Sequence, residues 1–123
     1  MRAVLTVFLL LFATHVSAAW QIINRSDGVT YYIDIATVRK DGNVRRSWQL
    51  GDFKVRDSDG ALSYRGLVEY DCKEELVRLR SYALFAGHMA NGKLLYISEK
   101  VEGWMAVAPE TVGETQFKYV CEL

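Results

Sequence analysis

Few residues in this chain are of a type and spacing to do chemistry. Cys72 and Cys121 are the only cysteines, and His88 is the only histidine beyond residue 20. A catalytic thiol must stand as a thiolate beside a base, and a histidine base needs a nucleophile within reach. Neither a nucleophile elbow nor a triad-like spacing surrounds His88, which sits among Gly, Ala and Asn and reads as a solvated loop residue. The carboxylates Asp34, Asp52, Asp57, Asp59 and Asp71 fall on turns and strand ends, where Asp serves turn chemistry. Asp57-x-Asp59-Gly60 resembles the start of a calcium loop but lacks the remaining ligand positions. Two cysteines and one histidine without a Cys-x-x-Cys spacing do not make a zinc site. The expectation is a non-enzymatic chain with no cofactor and no metal.

Compartment decides what the cysteines do. Residues 1–19 carry Arg2, a short apolar core from Val4 to Ala13, and small residues at Val16-Ser17-Ala18 or Ser17-Ala18-Ala19. That is the pattern of a cleaved signal peptide. The alternative is a membrane anchor, but the apolar run is about ten residues against the roughly 20 that a spanning helix needs. No later stretch is apolar enough to span either. Cleavage leaves residues 20–123 as the mature domain, with no transmembrane segment, and the lack of a cysteine near the cleavage site argues against a lipoprotein. The expected location is the periplasm or the medium, with the cell surface open. In an exported domain two cysteines are expected to be joined; two buried free thiols are the alternative. Closing a loop of about 49 residues stabilises by about 4 kcal/mol in the chain-entropy model.

The elements that must position these residues are read from periodicity. Apolar residues make up 50% and charged residues 24% of the chain, an ordinary balance for one folded domain. Trp20–Asn24 and Val29–Asp34 form a hairpin around Asp27-Gly28. Val44–Phe53 is a long strand with Val44, Trp48 and Leu50 on one face and Arg45, Ser47 and Gln49 on the other. Leu62–Cys72 alternates best, placing Cys72 beside Val68 and Tyr70, towards the core. In Leu76–Phe85, Val77, Leu79, Ala83 and Phe85 line one face and Arg78 and Arg80 the other. Lys93–Lys100 is a sixth strand. Thr111-Val112-Gly113-Glu114 then fits a capping box opening a helix over about 112–122, with Phe117, Val120 and Cys121 on its docking face.

Several of these residues carry a family resemblance. Glu69-Tyr70-Asp71-Cys72, Gly103-Trp104 with Val107-Ala108-Pro109, and Val112-Gly113-Glu114 through Phe117 and Val120-Cys121 resemble the surface-adhesin protein E family of bacteria. Trp20, Asp27-Gly28 and Tyr31-Tyr32-Ile33-Asp34 add to it, so the likeness covers about residues 20–121. The resemblance implies an α+β fold: an antiparallel sheet of about six strands, a C-terminal helix packed on one face, and a single disulfide between Cys72 and Cys121. It also implies adhesion, since the family includes an outer-membrane lipoprotein adhesin for host extracellular-matrix and serum proteins.

Two features suggest binding. Arg39, Lys40, Arg45 and Arg46 crowd one hairpin, and Arg78 and Arg80 share an outer strand face. Such patches recruit acidic partners, although as solvated charges they need no function. Tyr31, Tyr32, Tyr64, Tyr82, Tyr96 and Tyr119 suit an interface or simply the strands they sit in. Without residues 1–19 the charge is 14 basic against 15 acidic residues, so nucleic acid is not an expected partner. The expected partners are extracellular or envelope proteins, met on the sheet face opposite the helix or along the Arg-rich hairpin. The alternative is a structural envelope protein that forms a homodimer through its exposed sheet.

Overall fold

A computed structural model describes residues 3, 4, 7 and 19–123, so the signal-peptide reading of residues 1–19 lies almost wholly outside the described residues. Among those described, no helix is long and apolar enough to cross a membrane. The strands are β1 (Trp20–Ser26), β2 (Val29–Asp34), β3 (Arg39–Asp41), β4 (Val44–Phe53), β5 (Ser63–Asp71), β6 (Leu76–Phe85), β7 (Leu94–Ser98) and β8 (Met105–Ala106), followed by one helix, α1 (Val112–Cys121). Short 3-10 turns occupy Ile35–Thr37 and His88–Ala90.

All strands join one antiparallel sheet in the order β1-β2-β4-β5-β6-β7. The two short strands extend its long members: β3 pairs with β4 beyond the end of β2, and β8 pairs with β6 beyond the end of β7. The six strands expected from alternation are all present. β3 and β8 escape that reading because Arg39–Asp41 has no apolar period and Met105–Ala106 is too short to show one.

The β1–β2 hairpin turns at Asp27 and Gly28, both with positive φ (50° and 76°). Asp and Gly tolerate that region, and the turn's twist matches that of the strands. Thr111 caps α1 by accepting from the Glu114 amide at 3.2 Å. Only this half of the expected capping box forms, because the Glu114 carboxylate turns instead to Lys118 Nζ at 3.4 Å.

Helix α1 buries Phe117 and Val120 against Ile33 and Tyr70, with Val68, Cys72 and Val77 packed around them. Phe117 meets Tyr70 edge-on, ring centroids 6.0 Å apart. Cys72 is joined to Cys121 in a disulfide, Cα atoms 5.7 Å apart, so the last turn of a helix too short to hold by itself is tied to β5. The helix-facing residues of β4 are Arg45, Ser47 and Gln49, opposite Tyr70, Val68 and Gly66. Buried Gln49 donates Nε2 to Tyr70 Oη at 2.9 Å, satisfying a polar pair inside the core.

One facing expectation is corrected. Leu67 pairs with Ser81 but Val68 pairs with Leu79, leaving Arg80 as an extra residue in β6. This bulge reverses the alternation. Val77 and Leu79 face the helix side, whereas Ala83 and Phe85 face away, where Arg65 lies over both Trp48 (5.2 Å) and Phe85 (5.6 Å). Leu50 and Ala83 are buried on this second face.

Candidate binding surface

Opposed residues of an antiparallel pair share a face, so register alone sorts the six basic residues. Arg39 opposes Arg46, Arg46 opposes Glu69 and Glu69 opposes Arg78. Four adjacent strands therefore contribute one residue each to a row across the face away from α1. Lys40 and Arg45 oppose one another and point to the helix side, where Lys40 Nζ donates to the Leu123 carbonyl at 2.7 Å and Arg45 Nη1 to the Gly42 carbonyl at 2.9 Å. The structure splits the hairpin cluster in two and unites Arg39 and Arg46 with Arg78 and Arg80.

The centre of the row is Glu69, 5% exposed. Arg78 Nη2 donates to its Oε2 at 3.3 Å, and Arg80, brought round by the bulge, pairs with its Oε1. Arg78 also lies 4.3 Å over the Trp104 ring, a cation–π contact that further fixes the guanidinium. Arg78 and Arg80 are therefore held in place rather than freely solvated. Arg39 Nη1 donates to the Ala36 and Val38 carbonyls, each at 3.1 Å. Arg46 has no hydrogen-bonded or ion-paired partner among the described residues. A cavity of about 130 Å³ lined by Arg39, Asp41, Val44, Arg46, Glu69 and Arg80 opens here, and its three guanidiniums outnumber the carboxylates of Glu69 and Asp41. The row can therefore hold an anionic group.

Neither Glu69 nor Trp104 stands out in the sequence as a site residue. Glu69 could have been found by pairing the two strands around Lys73-Glu74-Glu75, which sets it opposite Arg78; Trp104 could not, because its contact depends on the path of the loop.

Of the remaining candidate side chains, His88, Asp34, Asp52, Asp57 and Asp71 hold turns. His88 Nδ1 lies 3.2 Å from both Asp52 oxygens, and the Met89 amide donates to Asp52 Oδ1 at 2.8 Å. Buried Ser63 donates to the Gly87 carbonyl at 2.6 Å and accepts from the Ala90 amide at 2.9 Å. Asp34, Asp57 and Asp71 each accept from the amides of the turns that follow them. Among the described residues no three His, Cys, Asp or Glu side chains gather as a metal site requires.

On the helix side, beyond the reach of α1, aromatic rings run in a row. Phe53, Tyr64 and Tyr82 stand at successive centroid distances of 5.9 and 5.5 Å. Burial pushes the Tyr82 hydroxyl pKa up, aided by the carboxylates of Asp57 and Asp59.

The family model for surface-adhesin protein E matches residues 20–122. Solved structures of Haemophilus influenzae protein E share the fold: crystal form II at TM-score 0.68 and 13% identity, covering 89% of this chain and 92% of that one. Protein E from non-typeable Haemophilus influenzae aligns at TM-score 0.60 and 14% identity, over 89% and 80% of the two chains. No curated protein sequence matches the chain.

Proposed function

This chain belongs to the surface-adhesin protein E family, and we propose that it is an exported, non-enzymatic binding domain that presents its arginine row to acidic surfaces of extracellular or envelope proteins. Residues 1–19 serve as a cleaved signal peptide in this reading, and the released domain acts in the periplasm, in the medium or at the cell surface. One observation carries it. Glu69 already has an arginine on each oxygen, so Arg46, which has no partner among the described residues, remains for a ligand, together with the Arg39 nitrogens other than Nη1. Guanidinium groups suit that task because their paired N–H donors match a carboxylate.

Fluorescence anisotropy with labelled poly-L-glutamate as probe tests the proposal. Arg39→Glu and Arg46→Glu are expected to weaken binding at least about tenfold together. Arg45→Glu, on the other side of the sheet, is expected to leave it within about twofold. Equal effects of Arg45→Glu and Arg46→Glu would remove the row as the site.

A second reading, self-association through the sheet, is favoured by β7. This edge strand exposes Leu94, Leu95, Tyr96 and Ile97, and edges of this kind invite pairing. Antiparallel pairing of two copies centred on Tyr96 would set Lys93 against Glu99 on both sides. Sedimentation at micromolar concentration separates the readings: a stable dimer lost in Ile97→Lys supports it, and a strict monomer excludes it.

A further inference from the structure

We propose that the groove between β7 and the Asp57–Gly60 turn receives a cationic side chain, an Arg or Lys from an extended segment of a partner protein. The groove encloses about 600 Å³ and is lined by Asp59, Tyr82, Leu84, Leu95 and Tyr96. Its chemistry is opposite to that of the arginine row and it lies on the other face of the sheet, since Tyr82 opposes Gly66 and Tyr96 opposes Leu84.

Three observations determine the occupant. The floor is aromatic: Tyr82 packs at a tilt against Tyr64, which packs at a tilt against Phe53, and half-exposed Tyr96 stands on the neighbouring strand across from Leu84. Aromatic faces attract cations, and guanidinium planes stack on them. The rim is acidic. Asp57 Oδ1 is used by the Asp59 and Ala61 amides, whereas the Asp59 carboxylate has no partner among the described residues. The nearest cation in sequence, Arg56, is turned away, donating to the Gly60 and Ala86 carbonyls at 3.0 and 2.7 Å. An uncommitted carboxylate over tyrosine faces complements a cation and repels an acidic segment.

Amide chemical shifts of the purified, disulfide-intact protein are the readout. The probe is a capped Gly-Arg-Gly-Arg-Gly peptide, with its Glu counterpart and a maltohexaose oligosaccharide as comparisons. Arg-peptide shifts concentrated at Asp59, Tyr82, Leu84, Leu95 and Tyr96 are expected, with none at these residues from the Glu peptide. Asp59→Asn, in an exposed turn, is expected to weaken binding about threefold to fivefold, and Tyr82→Leu by a similar factor. Glu74→Gln, which removes an exposed carboxylate in the turn between β5 and β6, should leave the Arg-peptide affinity unchanged. Absence of shifts at these residues up to millimolar peptide, binding by Asp59→Asn and Tyr82→Leu as tight as by the unaltered protein, or shifts caused by the oligosaccharide instead would each overturn the proposal.

Discussion

Arg78 donates to Glu69 across the β5–β6 pair at 3.3 Å, and that carboxylate side chain is only 6% exposed. A carboxylate so nearly buried is tolerated because guanidiniums occupy both oxygens; losing it strands positive charges in a poorly solvated place. Arg78 and Arg80 remain 26% and 35% exposed, so water screens part of that penalty. Glu69→Gln is expected to cost about 1–3 kcal/mol in urea unfolding, below the fully buried range. A loss under about 0.5 kcal/mol would mean the ion pairs are structurally idle.

The disulfide ties residues 49 positions apart. Alkylation before and after reduction, read by intact mass under denaturing conditions, should reveal two thiols only after reduction. Replacing both cysteines with Ser is expected to lower stability by about 4 kcal/mol. The first structure to loosen should be α1, because its remaining anchors are chiefly Phe117 and Val120. Hydrogen exchange in α1 no faster than in β4 and β5 would contradict this.

The fold is most legible in the sequence where one strand is regular. Leu62 to Cys72 alternates without interruption, which puts Cys72 on the side of Val68 and Tyr70, where the core is found. Legibility fails at Arg80, because a bulge is set by pairing between strands and leaves no mark on either alone. The basic hairpin shows the same limit. Arg45 and Arg46 are neighbours in sequence and so opposites in a strand, yet the row that joins Arg46 to Arg78 needs the register of four strands.

Gly51 carries a different constraint. The Tyr64 ring lies over it, occupying the space a Cβ would need. Gly51→Ala must move the ring and disturb its tilted contacts with Phe53 and Tyr82. A loss of about 1–3 kcal/mol is expected, with changed near-ultraviolet circular dichroism. Unchanged stability and spectrum would show that the ring moves freely.

Alkaline pH should unfold the domain through its tyrosines. Burial pushes the Tyr70 hydroxyl up to about 12, against the opposing hydrogen bond from Gln49, from an ordinary value of 10.0. Tyr64 moves in the same direction, chiefly by burial and then through Tyr31, Tyr82 and Tyr70. Above about pH 10 the unfolded chain releases phenolic protons that the folded chain retains, so the unfolded state binds fewer protons and stability falls. The contribution is complete below pH 10 and is lost as pH rises towards about 12. The urea midpoint, with Tyr70→Phe as comparison, should fall over this window and less steeply in the variant. Phenolate absorbance showing every tyrosine ionised near pH 10 in a still-folded protein would contradict the burial.

An adhesin-type domain must meet its ligand outside the cytoplasm, and location is the most direct measurement. Antibody against residues 20–123 would be applied to intact cells and to osmotically opened ones. Labelling without opening, or antigen recovered from the periplasm or medium in a form beginning near residue 20, is the predicted result. Antigen confined to the cytoplasm with residues 1–19 still attached would contradict an exported binding domain.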